Sequence, residues 1–216
     1  MLRVENAVVG YYKKPLINIG QLQINPGEMI LITGENGAGK TTFAESLQGQ
    51  IPLLEGKVNH TFTHRAYVPQ SVDFDTTFPL SLYQVIAMGM PGYQKPLSWL
   101  SPAYLRRERE AVMDIVQRIG LEGKEQLLFF AASGGQFRRA LIARALVSNP
   151  GFILLDEPFA NLDDIGMESI ADILMKEKEE NDRCLLLIDH IHPPNIKYDR
   201  GLHVANKRIH ENEVAL

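Results

Sequence analysis

Cysteine is almost missing from this chain: Cys184 is the only one among 216 residues. An intramolecular disulfide is therefore excluded, and the usage fits a reducing cytoplasm. Cys184 stands in the apolar run Cys184-Leu185-Leu186-Leu187-Ile188, which suits a buried small hydrophobe better than a reactive thiol. Long apolar runs are also lacking. The longest, Leu127 to Ala132, has six residues, against the roughly 20 of a membrane-crossing helix, so any membrane role is expected to be peripheral. The opening residues Met1-Leu2-Arg3-Val4-Glu5 lack the apolar stretch of a secretory signal. Excess positive charge is absent too. Lys and Arg number 22 against 26 Asp and Glu, a net charge of -4, so nothing suggests a general nucleic-acid binder, although a local basic patch is compatible with it. No repeat or low-complexity linker occurs. What is present, 45% hydrophobic and 22% charged residues, is the composition of one globular domain with space for a small inserted lobe.

Leu2 to Val9 and Leu16 to Ile24 read as strands, the second closed by Asn25-Pro26-Gly27. The run Met29-Ile30-Leu31-Ile32-Thr33 reads as a strand buried on both faces. A helix is expected from about Thr41 to Gln48, with Phe43 and Leu47 four apart. From Val72 to Ala132 the character changes, with Pro79, Pro91, Pro96 and Pro102 breaking the chain. There Ser101-Pro102 opens a helix with Leu105, Val112, Ile115, Val116 and Ile119 on one face. We read 72–132 as a helical lobe inserted between strands of a single domain spanning 1–216. A helix (Gln136 to Val147), a strand (Phe152 to Leu155), a helix (Ile165 to Glu179) and a strand (Leu185 to Ile188) follow. Strands alternating with helices predict an α/β fold with a parallel sheet.

Gly34-Glu35-Asn36-Gly37-Ala38-Gly39-Lys40-Thr41 satisfies G-x-x-x-x-G-K-[ST] between a buried strand and a helix, where a phosphate loop belongs. Its glycines let the backbone fold so that amide groups point inward at phosphates. Lys40 is then expected at the β- and γ-phosphates and Thr41 on Mg²⁺, with the helix dipole favouring the anion. In Phe152-Ile153-Leu154-Leu155-Asp156-Glu157 two acids emerge at the C-terminal end of a strand, where ligands collect in open α/β sheets. Asp156 suits Mg²⁺, and Glu157 suits orienting or deprotonating a water. Ser133-Gly134-Gly135-Gln136 is in the first place a serine cap. It is also a second anion-binding helix start, and with one nucleotide per chain it suggests a site serving another subunit's nucleotide.

With these elements the chain resembles the ATP-binding cassette ATPases, the motor subunits of ABC transporters, over essentially its whole length. Gly34 to Thr41 and Asp156-Glu157 match their Walker motifs, and Ala132-Ser133-Gly134-Gly135-Gln136 is similar to their signature motif, with Ala132 where leucine is usual. Gln70, in Tyr67-Val68-Pro69-Gln70, resembles the Q-loop glutamine, Asn161-Leu162-Asp163 the D-loop, and His190 the switch histidine. Tyr11, 29 residues before Lys40, stands like the adenine-stacking aromatic, ahead of the alternative Tyr12. The resemblance implies a P-loop NTPase fold with a mostly parallel central sheet, an N-terminal antiparallel β region and an inserted α-helical subdomain. It implies Glu157, His190 and Gln70 as catalytic residues, and Thr41, Gln70 and Asp156 around Mg²⁺. ATP contacts fall to Tyr11, to Gly34, Glu35, Asn36, Gly37, Ala38, Gly39, Lys40, Thr41 and Thr42, and to Ser133, Gly134, Gly135, Gln136 and Asp163. Asp189 precedes His190 where threonine or serine is common, a carboxylate able to raise the histidine's pKa. Neither this nor Ala132 deletes a chemical group that hydrolysis requires.

The stretch from Tyr67 through Phe74-Asp75-Thr76-Thr77-Phe78-Pro79 to Val85-Ile86-Ala87-Met88-Gly89 is similar to the ATPases of manganese/zinc-type importers, as is Trp99-Leu100-Ser101 leading into Arg106-Arg107-Glu108-Arg109. Iron-siderophore and cobalamin importers have related lobes, and Phe78, Leu82 and Val85 also read as plain core. His60 and His64 read as surface residues rather than ligands, since no carboxylate or cysteine cluster joins them, and His190 with His192 earns no metal reading either. Lys176-Glu177-Lys178-Glu179-Glu180 reads as a solvated helix end. Arg138, Arg139 and Arg144 read as ion-pairing with neighbouring acids in preference to binding phosphate. The resemblance therefore implies a head-to-tail homodimer with ATP at the interface, integral membrane permease subunits as partners, and indirectly a substrate-binding protein. No nucleic acid is implied, and the location is cytoplasmic, on the inner face of the membrane. A permease-free ATP-dependent dimerisation switch and a P-loop kinase are the rival readings. The first usually carries tandem cassettes or coiled-coil insertions, and the second needs a substrate lid instead of Ser133-Gly134-Gly135 and His190.

Overall fold

The computed structural model describes residues 1–12, 14–70, 78–93, 101–191 and 193–212. Expectations placed on Val72, on Phe74 to Thr77, on Pro96, on Trp99-Leu100 and on His192 lie outside them. The chain opens with strands β1 (Leu2–Tyr11), β2 (Lys14–Ile24) and β3 (Met29–Gly34), then helix α1 (Lys40–Gln48) and strands β4 (Leu53–His60) and β5 (Arg65–Val68). Helices α2 (Leu82–Ala87), α3 (Pro102–Arg118) and α4 (Gly134–Leu146) follow. Then come β6 (Phe152–Asp156), α5 (Asp164–Asn181), β7 (Cys184–Ile188), β8 (Arg200–Ala205) and β9 (Arg208–Asn212). Among the described residues the strands form one sheet in the order β4-β1-β2-β9-β8-β3-β7-β6-β5. The run β8-β3-β7-β6-β5 is parallel, whereas β1 pairs antiparallel with both β2 and β4. The mostly parallel centre with an antiparallel N-terminal region is the arrangement expected above.

The central strands are apolar along their whole length because both faces are covered, and their residues divide by the two-residue strand period. Met29, Leu31, Ile153, Leu155, Leu185 and Leu187 face a core shared with α2 to α5. Ile30, Ile32, Phe152, Leu154, Leu186 and Ile188 face the other core, built with α1, β1 and β2. Cys184 is fully buried there, and burial pushes its thiol well above the usual range.

Local chemistry starts the helices, including α2, for which the sequence carried no separate expectation. Ser81 and Ser133 each make a capping box, with Gln84 and Gln136 respectively. Ser101 accepts from Tyr104 N with Pro102 behind it, and Asp163 accepts from Gly166 N. The Ser133 cap draws Gly134 and Gly135 into α4, so it begins two residues before the expected Gln136.

Several expectations need correcting. Leu105 is 45% exposed, because the buried face of α3 starts only at Val112: periodicity identifies a helix face but not how far along it a partner extends. Phe78 is 66% exposed and no part of the core, whereas Leu82 and Val85 are fully buried. Glu177 is buried at 3% exposure between Arg183 Nε at 2.5 Å and Arg118 Nη2, so the Lys176–Glu180 run is not wholly a solvated end. His60 is half-buried with its ring edge-on to Phe152, and burial lowers its pKa. Arg138 and Arg139 donate to backbone carbonyls instead of acids. The β8–β9 hairpin was not foreseen. Its turn, Asn206-Lys207, has φ of 49 and 60, the left-handed pair of a type I′ connection.

Candidate nucleotide site

Strand β3 delivers Gly34 at the sheet's C-terminal edge with φ 149, and a Cβ there would lie 2.5 Å from the Val204 carbonyl oxygen of β8. No other residue fits so close an approach. The loop turns through Ala38 N on Glu35 O (3.1 Å) to Gly39, φ 98, which caps α1 without a side chain. No acidic residue occupies the first turn of α1, which leaves its positive end free for an anion. Lys40, 8% exposed, donates from Nζ to Gly34 O at 2.8 Å and Glu35 O at 3.1 Å, so its ammonium lies curled inside its own loop.

The two acids arrive from β6. Asp156 is 4% exposed, and its Oδ2 accepts from Thr41 Oγ1 at 3.0 Å, with the Tyr67 hydroxyl at 3.4 Å from the same oxygen. Burial raises the Asp156 carboxyl above the usual range and neighbouring Glu157 adds to the rise; Thr41, Tyr67 and Lys40 act against it. The Tyr67 phenol is itself pushed far up, first by burial and then by Asp156 and Glu45, so it stays a donor. Glu157 takes φ 47, a conformation side chains seldom adopt, with its N–H on Ile188 O at 2.8 Å. That twist turns its carboxylate toward Gln70, whose Nε2 donates to Glu157 Oε2 at 2.5 Å.

A cleft of about 410 Å³ results, lined by Leu16, Asn36, Gly37, Gly39, Lys40, Thr41, Thr42, Gln70, Asp156 and Glu157. Gly34 and Glu35 support it through their carbonyls to Lys40, and Ala38 through the loop turn. Other candidates stand elsewhere. Tyr11, 47% exposed, ends β1, and Tyr12 beside it is 97% exposed. Ser133 Oγ accepts from Gln136 N at 3.3 Å, while Gly134 is exposed beside the Asn161 carbonyl. Asp163 caps α5, and His190 is exposed after β7. Asp189 is buried, and its oxygens accept from the N–H groups of His190 (2.7 Å), Ile191 (2.8 Å) and Phe159 (3.3 Å). Its role is thus to hold the loops after β6 and β7 together.

Three residues at or beside the cleft were missed. Leu16 carried only a strand pattern in the sequence, and Tyr67 was read only as context for Gln70. Arg138 reads in the sequence as ion-pairing with neighbouring acids, yet it lies on the inward face of α4 at 5% exposure and donates to carbonyls.

A phosphate loop, an acid pair at a strand end and, among the described residues, a mixed nine-stranded sheet define the class, a P-loop ATPase. Residues 17–160 match the family described as ABC transporter, and the chain belongs to that family, as an ATP-binding-cassette ATPase. Similar proteins include the manganese transport system ATP-binding protein MntB of Listeria monocytogenes, 28% identical over 96% of this chain and 88% of its own. The zinc import ATP-binding protein ZnuC of Pseudomonas entomophila is 27% identical over 88% of this chain and 68% of its own. Among solved structures, the ATP-binding cassette MJ0796, a dimer bound to ADP and Pi, shares the fold at a TM-score of 0.80 and 23% identity, covering 99% of this chain and 98% of that one.

Proposed function

We propose that the chain is the ATP-hydrolysing subunit of an importer for a divalent transition-metal ion of the manganese/zinc type. The names of the relatives, a manganese transport and a zinc import protein, support the substrate class. The observation that carries the chemistry is the convergence of Lys40, Thr41, Asp156, Glu157 and Gln70 on one cleft. Lys40 leaves its loop carbonyls for the β- and γ-phosphates, and the glycine-loop amides cradle them. Mg²⁺ fits the donor set: Thr41 Oγ1 and Asp156 Oδ2 are hard oxygens already 3.0 Å apart, beside the carboxamide of Gln70. When bound, that ion neutralises charge developing on the phosphates. Glu157 orients the attacking water and takes its proton, Gln70 holds the Glu157 carboxylate in place, and His190 reaches the γ-phosphate.

Two chains pair head to tail, with Ser133, Gly134, Gly135, Gln136 and Asp163 of one completing the ATP site of the other, and Tyr11 on the adenine. The exposure of Ser133 and Gly134, away from the chain's own cleft, supports this arrangement. Among the described residues no helix is long and apolar enough to cross a membrane. Permease subunits then supply the pathway and a substrate-binding protein the cargo, while this subunit sits on the inner face of the membrane.

Glu157→Gln tests the reading. Hydrolysis should fall about 10²-fold or more with ATP binding retained, since the charge removed is one that repels the γ-phosphate. Light scattering should show monomers without nucleotide and dimers of the variant with ATP and Mg²⁺. Adding Ser133→Arg should undo the dimer. Wild-type turnover by Glu157→Gln overturns the catalytic role. Metal content unchanged by deleting the gene, in a strain without redundant importers, overturns the substrate class.

A further inference from the structure

Arg138 is a buried cation held, among the described residues, without a direct ion pair. It stands on α4 one helical turn past Gly134 and Gly135, is 5% exposed, and makes no ion pair within 4.0 Å among the described residues. Its guanidinium grips two successive carbonyls instead: Nη1 donates to Pro69 O and Nη2 to Gln70 O, both at 3.1 Å. Burial weakens its hold on the proton, and Asp189, Glu157 and Asp156 nearby strengthen it, so the cation also balances an acidic cluster. Gln70, gripped by its backbone, donates from its side chain to Glu157 at 2.5 Å. One continuous set of contacts therefore runs from the exposed α4 start at Ser133 to Glu157.

Resting on the function proposed above, we propose that Arg138 is a positioning residue for hydrolysis, carrying the state of the Ser133-Gly134-Gly135 start to Glu157. A neighbour's triphosphate seated on that start fixes the first turns of α4. The guanidinium fork then holds the Pro69 and Gln70 carbonyls at a set distance from α4, and Gln70 is set against Glu157. Arginine suits this better than lysine because its planar fork fixes both donors in one orientation, whereas an ammonium, which can also reach two carbonyls as Lys40 does, is a point charge on a flexible stem. Each chain's hydrolysis thereby depends on whether its own α4 start is engaged.

The test compares full-length wild type with Arg138→Lys, Arg138→Met, Gln70→Ala and the Arg138→Met/Gln70→Ala double variant. The readouts are melting temperature, ATP affinity by calorimetry and steady-state kinetics. Arg138→Met should lower kcat about 10-fold or more while ATP affinity stays within about twofold, and Arg138→Lys should fall between it and wild type. The double variant should be no slower than Gln70→Ala, because Arg138 acts through that residue. Multiplied losses in the double variant overturn the inference, as does wild-type kcat in Arg138→Met. Should Arg138→Met prove poorly folded, Arg138→Lys decides: wild-type kcat at an unchanged melting temperature overturns the fork. A slow Glu157→Gln beside a normal Arg138→Met sinks this inference alone, whereas a fast Glu157→Gln removes the function on which it rests.

Discussion

Thr41 Oγ1 donates to Asp156 Oδ2 over 3.0 Å, joining residues 115 positions apart in the chain. The bond fastens the first turn of α1 to the end of β6, so loop and acid pair are held as one unit. It does not cancel the cost of burying the carboxylate, which sits above its ordinary pKa chiefly through desolvation. A native pKa above the unfolded one means that folding disfavours the charged form. The penalty is absent below the unfolded pKa and grows as pH rises through the native one. Asp156→Asn should therefore raise the nucleotide-free melting temperature at pH 7. The gain should vanish near pH 4. Calorimetric scans at both pH values check this, and a loss of stability at pH 7 contradicts it.

Lys40 Nζ rests on the carbonyls of Gly34 and Glu35, poised within the loop it serves. Lys40→Ala should weaken ATP binding by about 10²-fold or more, since the triphosphate loses its nearest point charge. Titration calorimetry giving an affinity within twofold of wild type would remove the loop from the binding site.

The glycines of the two helix starts should behave differently. At Gly39 a Cβ would meet Ile17 Cδ1 at 2.6 Å, and φ 98 is strained for any side chain; at Gly135 nothing lies within 4 Å. Gly39→Ala should cost about 1–3 kcal/mol, while Gly135→Ala should stay within about 0.5 kcal/mol of wild type. Denaturant unfolding of both variants measures the contrast, and equal effects would contradict it.

Glu177 joins α5 to α3 through Arg118 and to the start of β7 through Arg183, whose Nη1 also donates to Pro150 O at 2.5 Å. Removing one partner of a buried pair strands the other charge, so Glu177→Ala should destabilise by about 3–5 kcal/mol. Exposed Glu180, three residues on, should tolerate alanine with no more than about 0.5 kcal/mol lost. Urea midpoints for the two variants decide whether the charge run is uniform.

By itself the sequence determined whatever is settled within a few residues. A Ser133 hydroxyl reaching Gln136 N, a proline behind Ser101 and glycines before Lys40 are local bonds and local torsions, and they stand as the residue pattern foretold. The apolar runs of β3, β6 and β7 needed no partner to be recognised, because strands covered on both faces carry no polar side. Tertiary structure alone decided which charges were withdrawn from water and which hydrophobes stayed in it. Nothing around Arg138 in the chain foretells two carbonyls 68 and 69 positions away. Nor does Lys176-Glu177-Lys178 single out the acid facing Arg183, and Phe78 reads as apolar whether or not a neighbour covers it. The β8–β9 hairpin completes the sheet between β3 and β2, strands far earlier in the chain. Burial is a property of what packs alongside, and those neighbours arrive from elsewhere in the sequence.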